Sequence, residues 1–151
     1  MTQTKDIAFL MPLVVGLCAL AATIVIHALV LNGAIRFFRR QRSLGRAGKS
    51  LTIDLPIIGL TISFALAAHL IEIALWALVL MICGQFTVLT TAYYHAALNY
   101  TTLGDVEMSP SWTLLGPLAA VDGMLMFGVS TAMIFAVVQR LIVTRYADLR
   151  D

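Results

Sequence analysis

The sequence predicts an all-α membrane protein with three transmembrane helices and a short re-entrant helix between the second and the third. The mean hydropathy is +0.93, and only 12% of the 151 residues are charged. Soluble domains contain roughly 25% charged residues, so this chain has too few polar side chains to cover a globule in water. Three long apolar runs and one shorter uncharged segment make up most of the chain. We expect one membrane domain over residues 1–151.

The three apolar runs span residues 7–35, 55–84 and 112–143. Each exceeds the roughly 20 residues needed to cross a hydrocarbon core of about 30 Å. The first run is too long for a signal peptide and is not followed by a small-residue cleavage site, so we expect it to remain as a helix. Cys18 and Cys83 lie within apolar runs and form no CxxC pair, which is typical of small buried side chains rather than a redox or metal site.

The basic residues indicate how the helices are oriented. Six lie in the link at 36–54, and three lie near the end of the third run or in the tail at 144–151. Because basic loops stay in the cytoplasm, we expect an inner (plasma) membrane protein with its N-terminus outside and its C-terminus in the cytoplasm. The link also suits anionic lipid headgroups. A nucleic-acid patch is the less favoured interpretation, because the charges flank two membrane ends.

The link also contains signals for helix ends. Gly45 and Gly48 interrupt it, so the first helix is expected to continue past the membrane before the chain turns. Asp54 precedes Leu55 and Pro56, which predicts an acidic N-cap and a proline in the first turn of the second helix.

Residues 85–111 are too apolar for a solvated loop and too short and polar for a fourth span. Between residues 86 and 100, His95 is the only side chain that can carry a positive charge, and there is no acidic residue. We expect a short helix over residues 86–100 that enters the membrane, after which the chain returns as extended backbone. Such backbone survives at membrane depth only where it is buried in protein or lines a water-filled path.

The residues that follow this helix read Tyr100-Thr-Thr-Leu-Gly-Asp105. A helix, a short helix, a turn containing T-x-G, an acidic residue and a further helix, in this order, resemble the pore domain of the tetrameric potassium-channel superfamily of P-loop cation channels. The chain is most similar to the small bacterial ion-channel proteins, whose filters read T-T-L-G-Y-G-D. The resemblance covers roughly residues 60–143. Its other matching stretches are His69-x-x-Glu72-x-x-x-Trp76-Ala77, Trp112-Thr-Leu-Leu-Gly-Pro-Leu118 and Asp122-Gly-Met-Leu-Met-Phe-Gly128.

The resemblance implies a homotetramer in which each subunit supplies an outer helix (55–84), a pore helix (86–100), a filter (101–108) and an inner helix (112–143). Monovalent or divalent cations would be the permeant ions. No other cofactor is implied, and the protein would not be an enzyme. The implied filter residues are Thr101, Thr102, Leu103, Gly104 and Asp105, with Glu107 at the outer mouth.

The filter departs from the family pattern because Tyr-Gly is missing. Two alignments remain open. In one, Tyr-Gly is deleted and Asp105 to Pro110 matches D-x-x-x-S-P; in the other, Asp105 replaces Tyr and Val106 replaces Gly. The deletion is favoured, since filter glycines often adopt φ > 0 and β-branched Val106 resists it. Fewer carbonyl rings and a ring of carboxylates predict a weakly selective cation pore. A non-conducting, channel-derived structural or regulatory membrane protein is the main alternative.

Polar residues within the spans are candidate functional residues, because charge inside a membrane is costly. Asp122 and Met126 share a helical face, which would place both in the pore cavity. The alternative for Asp122 is a buried carboxylate that is hydrogen-bonded behind the filter. Gly123 and Gly128 resemble hinge positions of the inner helix, and close packing between small residues is the alternative.

His69 and Glu72 are three residues apart and therefore share a helical face. The resemblance implies that they support the filter from behind, with the glutamate hydrogen-bonded to the backbone of that loop. A third class of function, an intramembrane enzyme or haem protein, would use these residues together with His27. An absorbance spectrum and a metal analysis would identify that class.

Overall fold

The computed structural model describes residues 2–104 and 108–147. Over this part of the chain the fold is all-helical, with four helices: α1 (Thr2–Ser43), α2 (Leu51–Ile82), α3 (Leu89–Tyr100) and α4 (Leu115–Ala147). Helices α1, α2 and α4 are each long and apolar enough to cross a membrane. The predicted number of spanning helices is therefore confirmed, and the chain is a multi-pass membrane protein with a short helix before its last span.

The long helices expose much of their apolar surface. In their most apolar windows, 22% of α1, 44% of α2 and 28% of α4 is buried inside the chain. Large side chains point outward along them; Leu29 is 68% exposed and Phe135 is 65% exposed. Continuous apolar surface of this extent is unfavourable in water, whereas a helix in hydrocarbon satisfies its own backbone hydrogen bonds and tolerates it.

The chain forms two compact units, and the first consists of residues 1–26 and 69–126. This unit contains α3 and parts of the three long helices. Trp76 and Tyr100 are fully buried at its core, and small residues surround them. Because alanine carries only a methyl group, helices that meet at alanines can approach closely. The buried alanines of this core are Ala19, Ala77, Ala92, Ala96 and Ala119.

The second unit consists of residues 27–68 and 127–151. Its small core contains Ile57, Val137 and Leu141. Asp54 is 2% exposed beside this core. It was predicted as the N-cap of the second helix, but α2 begins at Leu51, so Asp54 lies inside the first turn instead.

The position of Asp54 has a clear electrostatic reason. Its Oδ1 accepts a hydrogen bond from the Gly48 amide at 2.8 Å, and its Oδ2 accepts one from the Arg145 guanidinium. A carboxylate in the first turn also interacts favourably with the positive end of the helix dipole. Asp54 therefore ties the link and the end of α4 to the start of α2.

Helices α1 and α2 end in the same way, with a glycine in the left-handed conformation. Gly45 has a φ of 65° and Gly84 a φ of 70°. The glycine N–H bonds the carbonyl three residues back, and the next N–H bonds the carbonyl five residues back, which is the Schellman motif. A Cβ crowds this conformation, so glycine is the usual residue. As the link glycines predicted, α1 passes the apolar run and continues to Ser43 before it turns.

Candidate functional site

The candidate site lies at the C-terminal end of α3, within the first unit. Helix α3 buries Ala92, Ala96, Asn99 and Tyr100, which recur every three or four residues and so form one face. That face packs in the same core as Trp76 of α2. The sequence favours this local structure because small residues on one side let α3 lie close to a spanning helix.

Tyr100 connects the end of α3 to the polar pair on α2. Its hydroxyl donates to Glu72 Oε2 at 2.5 Å and lies 3.0 Å from His69 Nδ1. With the phenol proton in the bond to Glu72, the phenol oxygen accepts the second bond from the Nδ1–H of His69. Glu72 and Tyr100 are fully buried and His69 is nearly so. His69 and Glu72 thus contact the end of α3 through hydrogen bonds to the phenol of Tyr100.

Asp122 on α4 is also satisfied inside this unit. Its Oδ2 accepts a hydrogen bond from Trp76 Nε1 at 2.7 Å, and its Oδ1 accepts one from Thr23 Oγ1 at 2.9 Å. The residue is 0% exposed, and Met126 is only 5% exposed in the same core. This arrangement corresponds to the buried alternative for Asp122 and gives no support to a ring of carboxylates in a cavity.

The two ends of the segment between α2 and α4 are joined by a side chain. Gln85 Oε1 accepts a hydrogen bond from the Ser109 amide at 2.9 Å and one from the Ser109 hydroxyl at 3.0 Å. Because Gln85 directly follows the turn that ends α2, the chain leaves and returns at one place. The chain between these residues, whose described part includes α3, therefore starts and ends at one place and is called the closed excursion.

Helix α3 ends in the same motif as α1 and α2 but without a glycine. The Thr102 amide bonds the Asn99 carbonyl and the Leu103 amide bonds the Leu98 carbonyl, both at 2.9 Å. Thr102 occupies the left-handed position with a φ of 63°, and it is the one described residue other than glycine with a positive φ. A β-branched residue is costly there, and strain of this kind often marks functional sites.

The two threonines of the predicted filter use their hydroxyls differently. Thr101 Oγ1 donates to the Ala97 carbonyl of its own helix at 2.7 Å. The Thr102 side chain is exposed and makes no hydrogen bond to any described residue. Leu103 is 76% exposed, and Gly104 is exposed as well. Thr102 to Gly104 therefore present a hydroxyl and backbone at the surface of the chain.

A recess of about 270 Å³ adjoins this segment and is lined by residues of this segment and of α4. Asn99 reaches into it, is 7% exposed, and has a buried Nδ2 without a hydrogen-bond partner in the described chain. Gly104 and Gly116 leave room for its carboxamide, since a Cβ at Gly104 would overlap the Asn99 Oδ1 and one at Gly116 would lie 3.3 Å from it. The other lining residues are Thr102, Met108, Thr113, Pro117 and Ala120.

The two glycines proposed as hinges have different surroundings. A Cβ on Gly123 would overlap the carbonyl oxygen of Tyr100, so this glycine allows α4 to lie against the end of α3. Gly128 has no atom within 4 Å of the position of a Cβ. Close packing inside the chain therefore explains Gly123 and does not explain Gly128.

Three further predicted residues remain to be located. Asp105 and Glu107 fall outside the described residues. His27 is 2% exposed, and its Nε2 lies 3.1 Å from the Ser130 hydroxyl. His95 stacks on Phe86 with ring centroids 4.7 Å apart and an interplanar angle of 10°.

Three residues that organise the site, Trp76, Tyr100 and Asn99, had no role predicted from the sequence. Trp76 and Glu72 are four residues apart on α2, so their shared face was readable from the spacing. A tyrosine buried in an apolar segment usually needs a partner for its hydroxyl, which was a signal for Tyr100. No comparable signal pointed to Asn99.

Comparison with known proteins adds no relative. No family model, curated protein or solved structure matches the chain. The resemblance to the potassium-channel pore therefore depends on the sequence motifs of this chain alone.

Proposed function

We propose that this chain is one subunit of a homotetrameric, potassium-channel-like cation channel with a shortened and weakly selective filter. In this proposal α2 is the outer helix, α3 the pore helix, Thr101 to Asp105 the filter, and α4 the inner helix. The observation that carries it is the closed excursion from Gln85 to Ser109, in which α3 descends beside α2 and ends in a strained turn.

The depth of that excursion supports a re-entrant segment. Tyr100 contacts His69 and Glu72, which precede the end of α2 at Ile82 by 13 and 10 residues. At 1.5 Å per residue this corresponds to about 15–20 Å of helix, roughly half of a 30 Å hydrocarbon core. Irregular backbone at such depth must be covered by protein or face water. The backbone from Thr102 to Gly104 is exposed, so it would have to face water, and this requires further subunits that enclose a water-filled path.

The orientation of α3 is suited to cations. The C-terminal end of a helix carries a partial negative charge, and here that end adjoins the exposed hydroxyl of Thr102. Since one chain supplies only one filter strand, a ring of copies is required to surround an ion. Loss of Tyr-Gly removes coordination sites, so the proposed pore discriminates weakly among cations.

The experiment is cation flux into liposomes that contain the purified protein, measured for potassium, sodium and calcium. We expect a tetramer and flux of more than one cation. The test variant Gly104→Ala places a methyl group against Asn99, and flux should fall. The control Gly59→Ala adds the same group where no atom lies within 4 Å, and flux should persist. A strictly monomeric protein would overturn the proposal.

A non-conducting, channel-derived protein remains the second candidate, and the missing Tyr-Gly is the observation that favours it. Its signature would be a stable tetramer without flux of any of the three cations. The flux assay therefore separates the two candidates directly.

The proposed orientation in a bacterial inner membrane puts the N-terminus outside and the basic link in the cytoplasm, against anionic headgroups. Arg46 lines an apolar groove of about 390 Å³ between the end of α1 and the start of α2. Its guanidinium would bind a lipid phosphate there, next to apolar side chains that suit the hydrocarbon chains. Arg46→Gln should weaken binding to vesicles containing phosphatidylglycerol. Arg42→Gln removes the same charge away from this groove and should weaken binding less. Equal losses would show that only net charge matters.

A further inference from the structure

The side-chain amide of Asn99 is the least explained polar group of the site. The residue is 7% exposed, and its Nδ2 has no hydrogen-bond partner within the described residues. Buried polar groups are nearly always paired, and an unpaired one costs about 1–3 kcal/mol. A leucine of similar size would avoid that cost, so the amide calls for a partner that the described residues do not supply.

The recess around Asn99 is built to keep this amide in place. Gly104 and Gly116 flank the carboxamide, and a methyl group on either would crowd it. One of these glycines belongs to the filter segment and the other to the first turn of α4. Glycine in a helix usually costs about 0.5–1 kcal/mol relative to alanine. The space that Gly116 leaves for the carboxamide therefore lowers the stability of α4, and a purely apolar contact would not need this space.

One side of the recess is lined by small or short side chains. Ala120 and Pro117 of α4 and the preceding Thr113 form this side, so a second backbone can approach closely. The neighbouring Leu103 is a large apolar side chain that is 76% exposed. Leu103 lies between Thr102 and Gly104, which both line the recess, so one face of the chain carries the buried amide donor together with exposed main chain. A neighbouring copy that turns the same segment towards this face supplies a carbonyl acceptor, and such contacts close into a ring when the rotation between neighbours closes.

We infer that this recess receives the filter segment of a second copy of the chain, and that Asn99 Nδ2 donates a hydrogen bond to a main-chain carbonyl oxygen of that copy. This inference rests on the proposed oligomer and specifies one of its contacts. Asn99 thereby acts as a positioning residue that sets the register between neighbouring filter segments.

The test is Asn99→Leu, which removes the donor and keeps a side chain of similar size. The association of subunits is measured by cross-linking in liposomes over a series of protein-to-lipid ratios, and the unfolding of the chain by circular dichroism. We expect the subunit dissociation constant to rise about tenfold, which corresponds to about 1.4 kcal/mol. The helical chain itself should unfold at the same or a higher denaturant concentration, because an unpaired buried donor has been removed.

The matched control is Asn32→Leu. Asn32 accepts a hydrogen bond from Arg36 at 2.9 Å on the exposed side of α1, and its replacement should leave the dissociation constant unchanged. If Asn99→Leu leaves association unchanged, or destabilises only the single chain, the inference is wrong. A wild-type tetramer with unaltered Asn99→Leu association would overturn this contact alone, whereas a monomeric wild type would overturn the proposed function as well.

Discussion

Replacing Thr102 by glycine should make the chain more stable and lower the cation flux of the proposed channel. Thr102 has a φ of 63° at a helix end where Gly45 and Gly84 adopt 65° and 70°. A side chain in this conformation costs about 1–2 kcal/mol, and glycine loses roughly 0.5–1 kcal/mol of additional backbone entropy on folding. The difference predicts a gain of about 0.5–1 kcal/mol in the free energy of unfolding. Little packing is lost, because the Thr102 side chain is exposed.

Two assays are needed, because stability and function are expected to move in opposite directions. Unfolding in mixed micelles with increasing SDS, followed by circular dichroism, gives the change in the free energy of unfolding. Cation flux in liposomes gives the activity, which should fall because the exposed hydroxyl in the proposed filter is gone. Gly84→Thr is the reciprocal control. It places threonine in the same conformation with no atom within 4 Å of the new Cβ, so it should cost about 1 kcal/mol.

A loss of stability in Thr102→Gly would refute the steric argument, since relief of the left-handed backbone would then not be the dominant effect. A gain of stability with unchanged flux would refute the functional argument and leave Thr102 as an unexplained strained residue. Only higher stability together with lower flux supports both.

Two further pairs of variants test the packing around the site by the same unfolding assay. Gly123→Ala places a methyl group against the Tyr100 carbonyl and should destabilise the protein by about 1–3 kcal/mol. Gly128→Ala places the same group in open space and should stabilise α4 by about 0.5–1 kcal/mol. Equal effects of the two variants would contradict the difference in their surroundings. Tyr100→Phe removes the donor to the buried Glu72 carboxylate and should cost about 1.5–3 kcal/mol. Tyr93→Phe removes a longer bond of 3.2 Å near the surface and should cost less than about 1 kcal/mol, so a larger loss at Tyr93 would show that burial does not set the energy here.

The spanning helices were predictable because their signal is composition summed over many residues. A window of 18 residues averages out individual side chains, and in each of the three helices it stays strongly apolar. The turn at Gly45 was readable for a related reason, since glycine supplies the left-handed conformation at no steric cost. The start of α2 was harder to predict. Asp54 accepts hydrogen bonds from the Gly48 amide and the Arg145 guanidinium from within the first turn, and Arg145 is too far away in sequence to leave a local pattern.

The direction of a polar side chain inside a span was harder to predict than its existence. Asp122 was expected either in a cavity or buried behind the filter, and spacing along α4 could not separate these. The choice depends on how α4 is rotated, which is set by Gly123 against the Tyr100 carbonyl and by the donors Trp76 and Thr23. These partners come from three other helices, so no window of the sequence contains the information.

Thr102 shows the opposite relation between sequence and structure. Local rules predict glycine at the left-handed position of a helix end, and the chain follows them after α1 and α2 but departs from them after α3. A sequence usually specifies its fold by agreement among such rules, and departures concentrate where function imposes a different demand. The departure falls in the segment that resembles a filter, beside an Asn99 amide that has no hydrogen-bond partner among the described residues. The cost of the Asn99 amide is removed if identical copies of this segment meet and supply an acceptor. The cost at Thr102 remains in such an assembly, so it is the one that a functional demand on this turn has to explain.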